Sequence, residues 1–419
     1  MTNQIYTGDC FEKLPALDAN SVHAIVTDPP YGLAFMGRSW DDFEPKEYQE
    51  WCEKWATECL RVLKSGGHLL AFSGNRTHHR LMSGIEDAGY EIRDTITWHY
   101  GSGFPKALDV SKAIDKQADA DREVVGEKYR TGGNRDHMNV KGNNGRKSFE
   151  LEGKVKETEP ATEQAKQWDG FKSALKPATE FVCVARSPLA EDTIAENVVT
   201  HGTGALNIDA TRVETDGERP NISYYGDRGL GQLTDDEYDG GGHKDGTTTE
   251  GRYPSNVVFD ARQADVLDDD VGETESGYRE NTANVTPSDD DATDFGFHYD
   301  RPERGYKDEG GPSRYFYTSK ASKSERTLDG KIDNVHPTVK PIDLMEWLVS
   351  LATAKEQIVL DPFAGSGTTC KAAKNKNRQF IGIEQQAKWA DVARVRSGLP
   401  PDDHSHIRAD DEQHGLEQF

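Results

Sequence analysis

Apolar residues in this chain come in short runs set between polar, glycine-rich stretches. His23-Ala24-Ile25-Val26, His68-Leu69-Leu70-Ala71-Phe72, Glu180-Phe181-Val182-Cys183-Val184-Ala185, Gln357-Ile358-Val359-Leu360 and Phe380-Ile381-Gly382-Ile383 have the length of buried strands. Gln4 to Asp9 and Asp94 to Tyr100 read as two more. Helical spacing fills the gaps. A short helix passes through Phe11 and Leu14. Pro45 suits a first helical turn, and Tyr48, Trp51, Cys52, Trp55, Cys59, Val62 and Leu63 then recur until Gly66-Gly67, which predicts a helix stopped by the glycine pair. Its aromatic stripe reads as core. Further helices are expected through Leu81, Met82 and Ile85 to Gly89, and from Pro188 to Val199. Two more follow Pro341 (Leu344, Trp347, Leu348, Leu351) and run through Trp389, Val392 and Val395. Strands alternating with helices over short connections predict the α/β class, a mostly parallel sheet covered on both faces.

Two stretches break the pattern. Residues 111–178 are polar and glycine-rich, with Lys128, Arg130, Arg135, Lys141, Arg146 and Lys147 among few acids. They read either as a solvated loop or, slightly favoured, as a phosphate-contacting patch. Residues 179–215 return to core character. Residues 216–313 form an acidic insertion marked by Gly240-Gly241-Gly242, Asp268-Asp269-Asp270 and Asp289-Asp290-Asp291, around an ordered island from Arg252 to Phe259. Arg314, Lys320, Lys323 and Arg326 make a second basic cluster at the start of 314–397. The acidic tail, 398–419, reads as disordered, and its His404, His406 and His414 as solvated rather than metal-binding.

Charge sharpens this picture. The 419 residues carry 74 acidic against 50 basic side chains, a formal net charge of −24, and only 34% are hydrophobic. The excess is spread along the chain. It fits either basic partners or, preferred here, a halophile's hydrated surface working in concentrated salt. Any polyanion would then be held by the local basic clusters more than by bulk charge. The five cysteines form no CxxC pair, so reduced, mostly buried thiols are expected, with no metal site. No run is long enough to span a membrane, and no secretory signal is visible, so a cytoplasmic location is expected.

Two loops carry candidate chemistry. Asp28-Pro29-Pro30-Tyr31 follows a buried strand, and the two prolines must stop that strand, leaving a stiff loop with one carboxylate and one ring. Asp361-Pro362-Phe363-Ala364-Gly365-Ser366-Gly367-Thr368-Thr369 joins a strand to a helix, with Glu384 closing the next strand. Glycines admit a ligand close to the backbone, and an acidic residue so placed holds a ribose diol. No lysine follows the glycines and the third dinucleotide glycine is missing, so a small adenosine ligand with little phosphate fits better than ATP or NAD.

Together these motifs resemble the amino-methylating DNA methyltransferases, in the order of the permuted beta group. His336-Pro337-Thr338-Val339-Lys340-Pro341 and Gly8-Asp9-Cys10 match that group's flanking segments, and Gly204 to Asp209 and Lys320 to Arg326 are similar to segments of phage- and prophage-type methylases. The resemblance covers about half of the chain, mostly 1–110, 180–215 and 314–397. It implies a Rossmann-like sheet, largely parallel with one antiparallel strand, and S-adenosylmethionine as cofactor. It makes 1–110 the catalytic half, 314–397 the cofactor half and 216–313 a candidate target-recognition region. It implies that Asp28 and the Pro29 carbonyl accept the two hydrogens of an exocyclic amine, that Pro30 stiffens the loop, and that Tyr31 stacks on a flipped base. Phe363 would pack on the cofactor, with Asp361, Gly365 and Gly367 along its methionine part. Thr338, Lys340 and Thr368 would face its carboxylate, Glu384 its ribose and Asp9 its adenine end. Double-stranded DNA is the implied partner, and the resemblance admits a cognate restriction endonuclease and a homodimer. Asp ahead of Pro29 favours adenine N6; cytosine N4 is the alternative. No cysteine follows a proline, which disfavours cytosine C5 chemistry. RNA or protein methylation, and a catalytically dead DNA-binding remnant, are the remaining readings.

Overall fold

The structure is a computed structural model that describes residues 2–33, 43–101, 107–129, 154–215, 251–276, 278–279, 304–305, 308–319 and 339–403. The strands of three or more residues are β1 (Gln4–Thr7), β2 (Val22–Thr27), β3 (Leu63–Ser73), β4 (Glu91–His99), β5 (Val124–Tyr129), β6 (Lys154–Thr158), β7 (Thr179–Arg186), β8 (Val257–Asp260), β9 (Tyr317–Ser319), β10 (Ile358–Asp361) and β11 (Gln379–Glu384). The helices are α1 (Cys10–Lys13), α2 (Pro45–Val62), α3 (His78–Asp87), α4 (Val110–Gln117), α5 (Glu163–Gln167), α6 (Ile194–His201), α7 (Ala261–Val271), α8 (Ile342–Ala352), α9 (Thr368–Asn375) and α10 (Ala387–Arg396).

Among the described residues, nine strands form one sheet in the order β1-β11-β10-β2-β3-β7-β4-β8-β9. Neighbours from β1 to β3 run parallel, and β7 runs antiparallel to β3. The expected α/β sheet is therefore present, mixed and mostly parallel. Successive strand residues face opposite sides. One face carries Ile25, Leu69, Ala71, Cys183, Leu360 and Ile383 against α1, α2 and α3. Helix α8 packs across β2 and β3, with Leu344 and Leu348 fully buried. The five cysteines are buried free thiols. No described helix is long and apolar enough to cross a membrane.

Several boundaries differ from the sequence reading. Helix α2 stops at Val62, not at Gly66-Gly67, because Leu63 turns extended and pairs with Val22. Gly66 instead takes φ +77° inside β3, where the register against β2 shifts. A bulge of this kind needs the left-handed backbone that glycine tolerates. Helix α6 starts at Ile194 rather than after Pro188, because Thr193 and Glu196 close a capping box there. In the 216–313 stretch, the apolar run Val257-Val258-Phe259 extends the main sheet as β8, paired with β4 and β9. Arg314 of the second basic cluster is a structural brace: it donates to Gly310 O and Thr274 O.

Residues 100–179 form a separate compact unit. It holds α4, α5 and the antiparallel pair β5–β6. Asp115, 1% exposed, gathers Arg122 and the Thr162 hydroxyl.

Helices α2 and α3 meet through Gly84, where an added Cβ would lie 2.6 Å from Gln49 O and 2.7 Å from Cys52 Cβ. Alanine gains about 1 kcal/mol in helix propensity. Forcing apart two packed backbones costs about 1–3 kcal/mol. Gly84→Ala is therefore expected to lower the denaturant midpoint; an unchanged or higher midpoint would contradict the close crossing.

Candidate active site

The two candidate loops leave adjacent parallel strands at the same end. Strand β10 pairs with β2 through Val359 and Ala24 and through Leu360 and Ile25, so Asp361 stands level with Val26 and Asp28 follows two residues beyond at the same end. The Thr27 hydroxyl donates to Asp361 Oδ1 at 2.7 Å across a separation of 334 residues. Glu384 ends β11 on the far side of β10, and Asp9 follows β1 beside it. Antiparallel β7 begins where β3 ends, which brings Glu180 to this edge as well. Ligands of open α/β sheets bind outside the carboxyl ends of the strands.

The proline loop is braced from below. Tyr48 Oη donates to Pro30 O at 2.9 Å. Gly32 turns the chain at φ +66°, with the Tyr48 ring where a Cβ would stand, 2.7 Å away. The Tyr31 hydroxyl lies 2.9 Å from Asp28 Oδ1 and 3.1 Å from Glu180 Oε2, sharing one proton between them. Lys340 donates to Asp28 Oδ2 at 2.6 Å and to Tyr31 Oη at 3.1 Å, and lies 3.2 Å from Glu180 Oε2. Burial opposes the Lys340 charge, but Asp28 and Glu180 outweigh it and hold the ammonium above the usual lysine range. Burial, reinforced by the two carboxylates, drives the Tyr31 phenol well above its ordinary value.

The glycine loop is held by its own carboxylates. Gly365 N–H donates to Glu384 Oε2 at 2.9 Å and Gln386 N–H to Oε1 at 2.8 Å. Burial raises the Glu384 pKa against these two bonds. Gly367 takes φ +78° at the start of α9 and meets Ala393, which a Cβ would strike at 2.6 Å. Phe363 packs on Trp51 and Trp55, with ring centroids 5.4 and 5.5 Å apart. The stripe read as core thus reaches the site edge through half-buried Trp51.

The predicted residues fare unequally. Asp28, Tyr31, Lys340, Asp361, Phe363, Gly365, Gly367 and Glu384 converge on this edge. Lys340 binds the proline-loop carboxylate Asp28 rather than standing clear for a ligand. The Thr368 hydroxyl accepts from buried Arg396, which also binds Ser366. Asp9 caps α1 at Phe11 N–H and accepts from Gln385. Thr338, Arg130, Arg135, Lys141, Arg146, Lys147, Lys320, Lys323 and Arg326 lie outside the described residues. Lys128 sits in β5, opposite Val155. Glu180 was missed: nothing local marks it, since its role comes from an antiparallel neighbour. Thr27 and Tyr48 were missed as well, because the one acts across a parallel strand pair and the other from α2.

The family comparison decides what kind of protein carries this edge. The N6/N4 methyltransferase family, described as DNA methylase, matches residues 22–394. The chain belongs to that family. It is a DNA methyltransferase of the N6/N4 type. It is 23% identical to the type II methyltransferase M.HindIII of Haemophilus influenzae, over 95% of this chain and 96% of that protein. A 74-residue stretch is 43% identical to M.BglII of Bacillus subtilis, covering 17% and 21% of the two chains. Among solved structures, the cytosine-N4-specific PvuII DNA methyltransferase aligns over 94% of this chain and 86% of that one, at 13% identity and a TM-score of 0.45.

Burial pushes the Asp361 carboxyl of this DNA methylase up to about 6 from 3.8, against hydrogen bonds from Thr27, Thr369 and Phe363 N–H, with Asp28 adding to the rise. The fold therefore binds that proton more tightly than the unfolded chain. The resulting stabilisation is complete below about pH 4 and is lost as pH rises through 6. Asp361→Asn should raise stability at pH 8, by up to about 3 kcal/mol, and give little at pH 4. Thermal unfolding at both values checks this; an equal change at both would contradict it.

Proposed function

We propose that this enzyme transfers a methyl group from S-adenosylmethionine to the exocyclic N6 of adenine in double-stranded DNA. The observation that carries the reading is the placement of the Asp28 loop and the Gly365 loop on adjacent strand ends, tied by the Thr27–Asp361 hydrogen bond. The donor set fits the cofactor. Asp9, Asp28, Asp361 and Glu384 make the edge acidic, and the glycine loop holds no lysine or arginine. That suits a cationic ligand without phosphate and opposes ATP or NAD. Each Glu384 oxygen accepts one backbone N–H and keeps a lone pair for a ribose hydroxyl. Phe363 and Trp51 offer an aromatic wall to the adenosine.

When bound, the cofactor supplies an electrophilic methyl group. The chain's own residues prepare the nitrogen. Asp28 and the Pro29 carbonyl accept the two amine hydrogens and localise a lone pair otherwise delocalised into the base. Tyr31, its hydroxyl anchored, offers a ring to a base that has left the duplex. Asp ahead of Pro29 supports adenine over cytosine. The motif order supports the permuted beta group. Lys128, Arg130, Arg135, Lys141, Arg146, Lys147, Lys320, Lys323 and Arg326 are proposed DNA contacts, and the acidic surface suits activity in concentrated salt.

Asp28→Ala leaves Lys340 paired with Glu180, so the fold should persist. Methyl transfer to DNA should fall by at least about 10²–10³-fold, while calorimetric affinity for S-adenosylmethionine changes only a few-fold. Undiminished transfer would overturn the role of Asp28.

A further inference from the structure

The site's charges do not balance in the way a lone catalytic aspartate would suggest. Lys340 spends its three protons on Asp28, Tyr31 and Glu180, at 2.6, 3.1 and 3.2 Å. Its side chain is only 9% exposed, while Asp28 and Glu180 are 17% and 21% exposed. Asp28 is thereby neutralised by a buried ammonium. Its Oδ2 accepts from Lys340, and its Oδ1 shares the one Tyr31 proton with Glu180.

The proposed reaction asks more of this group. The nitrogen lone pair forms the new N–C bond as the methyl–sulfur bond breaks, and the bonding pair stays on sulfur. Positive charge thus moves onto the target nitrogen, whose surplus proton then leaves to Asp28 and on to water. A neutral ion pair stabilises such developing charge poorly; a site with one uncompensated negative charge does so well. Glu180 is the second carboxylate on the same ammonium and the same phenol.

We infer that Glu180 is a positioning residue of the methyl transfer, holding Lys340 and Tyr31 in place and restoring the net negative charge that Lys340 removes from Asp28. The inference rests on the function proposed above. It makes the net charge of the cluster, alongside the direct amine contact of Asp28, a quantity that sets the rate. Glu180→Gln keeps the shape and an acceptor oxygen but brings the cluster to neutrality. Lys340→Met on top of it returns the cluster to one negative charge.

Steady-state methyl transfer to duplex DNA, at saturating cofactor, tests this. Glu180→Gln should lower kcat by about 10–100-fold, with KM for DNA and cofactor changed by about two-fold or less. Glu180→Asp should retain more activity than Glu180→Gln. The Glu180→Gln/Lys340→Met double variant should recover at least several-fold in kcat over Glu180→Gln alone. Loss without recovery in the double variant would make Glu180 a mere brace and overturn the inference. An active wild type with an unimpaired Glu180→Gln variant would also overturn it, leaving the proposed function intact. A wild type that transfers no methyl group to DNA would overturn the function on which the inference rests.

Discussion

The parallel pairing of β10 with β2 is the constraint on which the site depends. These strands are neighbours in the sheet and more than three hundred residues apart in sequence, and their register brings the loops that carry Asp28 and Asp361 to one end. The Thr27–Asp361 hydrogen bond, fully buried, ties the two strand ends together. Everything that flanks them serves the same edge. Strand β11 delivers Glu384, β1 delivers Asp9, and the reversal of β7 delivers Glu180. A parallel sheet suits this work because its strands present all their carboxyl ends on one side.

The site concentrates unfavourable electrostatics and offsets them locally. Two carboxylates, an ammonium and a phenol share a small volume around Lys340. Either carboxylate can be removed and still leave Lys340 paired with the other, whereas removing Lys340 leaves two carboxylates without their counter-charge. Asp361 shows the same tension, since its buried carboxyl is held up at about 6 by desolvation. Rigid backbone limits the rearrangements available: two prolines and the Tyr48 brace fix one loop, and Gly367 packed on Ala393 fixes the other. Charge of mixed sign held on a stiff frame is what preorganised stabilisation of a transition state requires.

Much of this was legible in the chain. The proline loop, the glycine loop and Glu384 announce themselves because prolines stop strands, glycines open backbone and an acidic residue at a strand end is seldom accidental. The parallel core was legible because its strands are unbroken apolar runs. Tertiary relations were not. Gly66 read as a helix stop because glycine serves equally at a bulge, and only the β2 register distinguishes the two. Glu180 sits at the start of an ordinary apolar strand, and its place beside Lys340 follows from strand direction alone. Lys340 read as a ligand for a carboxylate, and the carboxylates it meets here are Asp28 and Glu180.

The most direct test of this account is the chemical identity of the methylated nucleoside. Duplex DNA incubated with the enzyme and S-adenosylmethionine labelled in its methyl group should, after complete digestion, carry the label in N6-methyladenine. Label in N4-methylcytosine would contradict the adenine assignment; label in 5-methylcytosine, or none in DNA, would contradict an amine-directed site at Asp28.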